Sequence, residues 1–197
     1  MAPPRIIDPA GYVHLGSRGN FGQALYEDPA HRSVFLSLYT RVARERAWTT
    51  LAYCLMTNHF HFVIRLTDGG LSEGMQQLNG GFSRRMNALH DRTGAGHLFK
   101  NRFDGTPIET NAHLREALRY VVLNPVFAGV CARPEDSTWS SYRASVGLDP
   151  PPPFLAIDEL LELFGARPGA AREAYVAFVA DGLARWSDQR QAVVAAA

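Results

Sequence analysis

The sequence predicts an α+β fold, with an antiparallel sheet, helices packed on one face of it, and a small helical C-terminal appendage. Three observations carry this prediction. Apolar periodicity switches between two and about 3.6 residues along the chain, in the order strand, helix, strand, strand, helix, strand, helix. Glycine, proline, Asp and Asn punctuate those switches. The run Asp149-Pro150-Pro151-Pro152-Pro153 then sets off a tail whose apolar residues recur at helical spacing. With 197 residues, 46% of them hydrophobic, the chain is long enough to bury a core of ordinary size.

Each element has a local reason. Gly11-Tyr12-Val13-His14-Leu15 reads as the first strand, and Gly16-Ser17-Arg18-Gly19-Asn20 is a loop whose glycines accept positive φ. Asp28 caps a helix that opens on Pro29 and carries Val34, Phe35, Leu38 and Val42 at helical spacing. Trp48 to Leu55 and Phe60 to Leu66 are β-prone runs joined by Met56-Thr57-Asn58-His59, the length of a hairpin connection. After Asp68-Gly69-Gly70, Leu71, Met75, Leu78, Phe82, Met86 and Leu89 form one helical stripe despite Gly74, Gly80 and Gly81. Phe103 to Glu109 makes a further strand. Thr110 or Asn111 caps a helix through Leu114, Leu118 and Val121 or Val122, which Pro125 is predicted to stop.

The first six elements match a ferredoxin-like split βαβ arrangement. The predicted division is a sheet domain at residues 11–147, a proline-rich linker at 148–153 and an appendage at 154–197. Two short helices, Ile157 to Phe164 and Ala170 to Trp186, make up that appendage.

The formal net charge of +1 conceals a division along the chain. Residues 1–143 hold 16 basic against 12 acidic side chains, while residues 144–197 hold 4 against 7. Lys100 is the single lysine among 20 basic residues. Arginine grips phosphate with two N–H groups and stacks on flat rings, so the basic part suits a nucleic-acid partner. Two cysteines, Cys54 and Cys131, are too few for a disulfide framework and read as small apolar residues in a reducing, cytoplasmic setting. No stretch has the length and apolarity of a membrane span or signal peptide, so no membrane partner is expected.

Three segments can carry chemistry. In His59-Phe60-His61-Phe62-Val63-Ile64 alternate side chains share a face, so His59 and His61 point one way and Phe60, Phe62 and Ile64 the other. Two adjacent imidazoles can bind one divalent ion if another element brings a third ligand; the spacing alone equally allows a pair without function. In Arg119-Tyr120-Val121-Val122-Leu123-Asn124-Pro125, Tyr120 and Asn124 lie one helical turn apart on one face. Tyr120 offers a nucleophilic oxygen and Asn124 an amide oxygen for a hard cation, or else they are a core tyrosine and a helix terminator. Between Phe82 and Phe103 the chain carries five basic residues and one acid, with glycines among them. That mixture serves single-stranded nucleic acid, whose phosphates take the charge and whose bases stack on rings; a solvated basic loop has the same composition.

Together the segments resemble the REP-associated tyrosine transposases, a branch of the single-tyrosine HUH transposases with an insertion-sequence-200-like domain. The resemblance runs from about Gly11 to Gly147 and rests on five motifs in order. They are Ser17-Arg18-Gly19-Asn20, Ala52-Tyr53-Cys54-Leu55-Met56-Thr57-Asn58-His59-Phe60-His61, Gly96-His97-Leu98-Phe99-Lys100-Asn101-Arg102-Phe103, Arg119-Tyr120-Val121-Val122-Leu123-Asn124-Pro125-Val126 and Trp139-Ser140-Ser141-Tyr142. It implies a metal-dependent single-stranded DNA endonuclease and strand transferase, a bacterial, nucleoid-associated protein acting on hairpins of repetitive extragenic palindromes. His59, His61 and Asn124 are then ligands of Mg²⁺ or Mn²⁺, and Tyr120 is the nucleophile that forms a 5′-phosphotyrosine. The implied DNA contacts are Arg18, Asn20, Arg84, Arg85, His97, Lys100 and Arg102, and the implied acting unit is a monomer. Thr57, Phe82 and Phe127 depart from the family's usual proline, tyrosine and arginine, and all four metal and nucleophile positions are intact. The rival readings are a non-catalytic hairpin-DNA-binding regulator derived from a transposase, and a metal-dependent hydrolase that uses water.

Overall fold

The computed structural model describes residues 10–67, 69–91, 97–100 and 102–195. Four strands, β1 (Tyr12–Arg18), β2 (Thr49–Leu55), β3 (His59–Arg65) and β4 (Asp104–Ile108), form one antiparallel sheet in the order β2-β3-β1-β4. Helix α1 (Pro29–Glu45) connects β1 to β2, and α2 (Leu71–Leu89) connects β3 to β4. After β4 come α3 (Asn111–Phe127), α4 (Tyr142–Ser145), α5 (Ile157–Glu162) and α6 (Pro168–Ala195). This is the ferredoxin-like split βαβ order with a helical extension. The predicted caps are in place: the Asp28 carboxylate accepts from the Ala30 N–H at 2.6 Å, and the Thr110 hydroxyl from the His113 N–H at 3.1 Å.

The crossover helices share one face of the sheet. There Val13, Leu15, Phe60, Phe62 and Ile64 meet Phe35 and Tyr39 of α1 and Leu78 and Phe82 of α2. The other face is covered as well. Leu51, Cys54 and Val63 pack against Leu114, Leu118, Val121 and Val122 of α3 and, beyond them, against Leu160 of α5 and Tyr175 and Val179 of α6. Arg65 of β3 bonds both oxygens of Glu159 of α5 through its Nε and Nη2, at 2.7 and 2.9 Å, and the Tyr12 hydroxyl donates to the same carboxylate at 3.0 Å.

The free edge of β2 is covered by the chain around Trp139. The Leu55 N–H donates to the Trp139 carbonyl at 2.8 Å, the Ser141 N–H to the Tyr53 carbonyl at 2.9 Å, and the Tyr53 N–H to the Ser141 hydroxyl at 3.0 Å. The Trp139-Ser140-Ser141-Tyr142 motif therefore closes a sheet edge that would otherwise invite pairing with another chain. Tyr142 is buried beside Tyr175, a packing role that ties α4 to α6.

Three predictions need correction. Pro125 does not stop α3, which runs on to Phe127. Proline removes only its own N–H bond, to the carbonyl one turn earlier, and the Ala128 N–H still bonds the Asn124 carbonyl at 3.0 Å. The helix ends instead at Gly129, which has φ +70, the left-handed conformation that terminates many helices. The first strand extends three residues past Leu15, because β3 pairs with it through Arg18, opposite His59. The last helix is a single long one rather than short. The proline run is anchored on either side: Asp149 bonds Arg143 at 2.6 and 2.9 Å, and beyond the prolines Leu155 bridges to Thr50 of β2. Cys54 and Cys131 are free thiols. Among the described residues, no helix is long and apolar enough to cross a membrane. The predicted loop positions Asp68, Arg92 to Gly96 and Asn101, and the N-terminal stretch before Ala10, lie outside the described residues.

Candidate active site

The site forms on the α3 face of the sheet, toward the ends of β1 and β3. Pleating sends Phe60, Phe62 and Ile64 into the aromatic core and leaves His59 and His61 half-buried on the opposite side. On the neighbouring strand the same alternation places Tyr12, His14 and Gly16 on that side. Gly16 pairs with His61, and a Cβ there would lie 3.1 Å from the Phe60 carbonyl and 3.4 Å from His61 Nδ1. Glycine at this position leaves the His61 ring its space. Above the strands, α3 brings Tyr120 and Asn124 to the same spot, one turn apart as their spacing predicts.

Four of the predicted residues thus converge, together with one that the sequence reading missed. His59 Nε2 lies 3.4 Å from Asn124 Oδ1, and the His59 and His61 ring centroids are 5.0 Å apart. The Tyr120 ring is 5.6 Å from that of His61 and 5.7 Å from that of His14, edge-on to both, and 43% of the tyrosine is exposed. The missed residue is His14, whose Nε2 lies 3.1 Å from His61 Nδ1. Its signal was the alternation of Tyr12, His14 and Gly16, readable only once β1 is known to pair with β3.

Burial keeps all three imidazoles neutral. His61 is pushed down to about 3, first by burial and then by His14, His59 and Arg18. His59 is lowered by burial and by Arg18, and His14 by burial and by His113. A neutral imidazole carries one N–H and one lone pair, and hydrogen bonds select which nitrogen has which. The Asn58 side-chain N–H donates to the Gly22 carbonyl at 3.1 Å, which turns Asn58 Oδ1 to accept from His59 Nδ1 at 2.7 Å. His59 Nε2 is then the lone-pair nitrogen, and it faces the Asn124 oxygen, a second acceptor. Two acceptors facing each other are a cradle that a cation relieves. His61 is held at the same nitrogen: its Nδ1 lies 3.1 Å from His14 Nε2, and a proton on that Nδ1 would leave Nε2 as the lone-pair nitrogen.

The donor set of two neutral imidazoles and one amide oxygen fits a divalent cation of borderline to hard character. Among the described residues, no group of three His, Cys, Asp or Glu side chains is arranged to hold a metal ion. The third donor here is an amide, which stands outside that set.

The seven predicted DNA contacts separate into two places. Arg84 of α2 lines one cavity of about 830 Å³ with His97, Lys100 and Arg102. Arg18 and Asn20 adjoin it: the Lys100 N–H donates to the Arg18 carbonyl and the Asn20 N–H to the Leu98 carbonyl, both at 2.9 Å. Arg85 lies apart, in a groove between α1 and α2 with Ser33, Ser37 and Arg41. Behind the site, Arg119 turns away from Tyr120 onto Phe178 of α6, its guanidinium 4.3 Å from the ring centroid, and pairs with Glu116 and Asp181. Gly182 permits this, since a Cβ there would lie 2.3 Å from the Arg119 side chain.

A family model described as "Transposase IS200 like" matches residues 13–124, more than half of the chain and a span that includes His14, His59, His61, Tyr120 and Asn124. The chain belongs to the IS200-like transposase family. A solved REP-associated tyrosine transposase, bound to a REP hairpin, superposes on this transposase with a TM-score of 0.64 at 18% identity. The match covers 79% of this chain and 91% of that one, and it establishes the shared fold. A putative transposase from Deinococcus radiodurans R1 aligns at 16% identity over 59% of this chain and 92% of that one, with a TM-score of 0.42. Comparison with curated proteins gives no match.

Proposed function

We propose that this transposase nicks and rejoins single-stranded DNA at hairpins of repetitive extragenic palindromes, with Tyr120 as the covalent nucleophile. One observation carries the reading: the neutral pair His59 and His61, the amide of Asn124 and the half-exposed Tyr120 converge at one end of the sheet. The choice of hairpin DNA is supported by the five motifs and by the REP hairpin bound to the similar solved transposase.

A divalent cation, Mg²⁺ or Mn²⁺, held by His59, His61 and Asn124, would supply Lewis-acid polarisation of a non-bridging phosphate oxygen. The chain's own residues do the rest. Arg18 and the basic cavity residues bind the flanking phosphates and hold the strand across the end of the sheet. The Tyr120 oxygen attacks phosphorus in line, forming a tyrosine–phosphate bond and releasing the phenolic proton. The bond from phosphorus to the 3′-oxygen breaks, and that oxygen takes up a proton to become a free 3′-hydroxyl. The new link is again a phosphodiester, so another 3′-hydroxyl can attack it and transfer the strand. His14 and Asn58 fix the tautomers of His61 and His59 and thereby present the two Nε2 lone pairs. Residues 11–147 supply every proposed contact, and Phe178 and Asp181 of α6 brace α3 from behind through Arg119. Because Tyr120 stands over histidines of its own chain, a monomer holds every group the reaction needs.

The test is incubation of the protein with hairpin DNA and Mg²⁺ or Mn²⁺, followed by denaturing gel analysis for a protein–DNA adduct. An adduct that EDTA and Tyr120→Phe both abolish supports the proposal. Cleavage that survives Tyr120→Phe identifies water as the nucleophile. Binding without cleavage identifies a DNA-binding regulator.

A further inference from the structure

The loop after β1 breaks a local rule. Phe21 is 97% exposed, the most exposed large hydrophobic side chain among the described residues. Its backbone sits at φ 50, ψ 23, in the left-handed region that glycine and asparagine occupy most readily. An apolar ring in water and a disfavoured backbone are two costs at one position, with no burial among the described residues to offset the first. Such a conflict marks a site of function more often than one of stability.

The surrounding structure holds the conflict in place. The Gly19 N–H donates to the Asn58 carbonyl at 2.8 Å, Asn20 N–H to Leu98 O at 2.9 Å, and Gln23 N–H to Asn20 O at 2.9 Å. The Asn58 and Gln23 side chains add bonds to Gly22 O and Leu98 O at 3.1 and 3.0 Å. Gly19 must be glycine, since a Cβ there would lie 2.2 Å from the Gln23 carbonyl. Phe21 is therefore a ring on a rigid pedestal. The pedestal is coupled to the site: Gly22 O holds the Asn58 amide, and Asn58 holds His59. Its surroundings are cationic, with exposed Arg18 three residues before it and exposed Lys100 bonded to the Arg18 backbone.

We propose that Phe21 is a stacking platform for an unpaired nucleobase of the DNA strand and sets the register of that strand against His59 and Tyr120. The flanking phosphates lie on Arg18 and Lys100. A flat apolar ring amid fixed positive charge matches a base between two phosphates, whereas a protein or lipid surface would need a broader apolar patch. The proposal rests on the DNA reading above and specifies how that same site selects its strand position.

The test uses the full chain and a fluorescent hairpin oligonucleotide with a short thymidine flank carrying 2-aminopurine, titrated across a salt series. Phe21→Ala should weaken binding by roughly 10- to 100-fold without changing the slope against salt. Phe21→Trp should keep the affinity, and Arg18→Ala should lower the slope by about one. Quenching of 2-aminopurine at one flank position should vanish in Phe21→Ala. Phe21→Gly, which relieves the backbone, should lose affinity while its thermal midpoint holds or rises. If wild type binds with a salt slope and Phe21→Ala binds within about twofold of it, the stacking proposal is wrong and the DNA reading stands. If wild type shows no salt-dependent binding, the DNA reading itself fails. A lowered thermal midpoint in Phe21→Gly would overturn the proposal by making Phe21 a structural residue.

Discussion

On β3, Phe60, Phe62 and Ile64 are wholly buried under α1 and α2, whereas His59 and His61 turn to the other face, where Tyr120 stands over them half-exposed. The same seven residues thus build two different materials. The first face is close-packed aromatic core, with Phe62 stacked on Tyr39 at a centroid distance of 4.0 Å and Phe60 against Phe35 at 4.8 Å. The second carries buried polar groups whose positions matter more than their packing energy. The contrast teaches that the aromatic face supplies rigidity and the histidine face spends it. An imidazole fixed within a fraction of an ångström needs a strand that cannot shift, and the phenylalanines beneath provide that.

The sharpest break in the comparison comes from changing one atom on the second face. Tyr120→Phe should lower covalent adduct formation by at least about 10³-fold, since the oxygen removed is the one that forms the bond. Unfolding in urea should shift by less than about 0.5 kcal/mol, because the lost hydroxyl belongs to a half-exposed residue. On the first face the pattern reverses. Phe62→Ala should cost about 3–5 kcal/mol of stability by leaving a cavity, measured by the urea midpoint, with activity per folded molecule nearly kept. A Phe62→Ala protein as stable as wild type would break the division between the faces.

His14 lies between these extremes. His14→Ala removes the hydrogen-bond partner of His61 Nδ1 and frees that ring to turn or change tautomer, so affinity for Mn²⁺ should fall about 10- to 100-fold. Isothermal titration of the apoprotein with Mn²⁺ measures this directly. His14→Gln keeps an acceptor oxygen and should recover part of the loss. Equal Mn²⁺ affinity in His14→Ala would remove His14 from the site.

How much of this was legible in the sequence depended on the range of the interaction. The His59 and His61 face, the Tyr120 and Asn124 turn, and the Asp28 and Thr110 caps follow from spacings of a few residues. His14 escaped because its partner is 47 residues away, and a lone histidine in a strand announces nothing until the β1–β3 register is known. Pro125 misled for a related reason. Local chemistry predicts a stop, but Val126 is buried in the core under α3, and that packing carries the helix past the one lost hydrogen bond. The predicted appendage shows the same limit. Its helical period was readable, while the reach of Arg65 to Glu159 and of Arg119 to Phe178 depends on tertiary placement.

The last expected effect is a pH dependence rooted in the histidine face. In the unfolded chain an imidazole titrates near its ordinary value of 6.5, while in the folded protein His61 is held down to about 3 by burial and by its histidine neighbours. Between these values the unfolded state binds a proton that the folded state refuses, so stability rises with pH across that window. The contribution is complete above about 6.5 and is lost as pH falls toward 3. His14 and His59, also lowered, act in the same direction. Urea midpoints of the apoprotein should therefore decline from pH 7 toward pH 4, and His61→Asn should flatten that decline although it leaves the aromatic face intact. A slope unchanged in His61→Asn would place the acid sensitivity elsewhere, among the carboxylates that pair with Arg65 and Arg143. Those groups are lowered from their ordinary values near 4, so their loss falls at the acid end of the scan, and a titration in small pH steps separates the two.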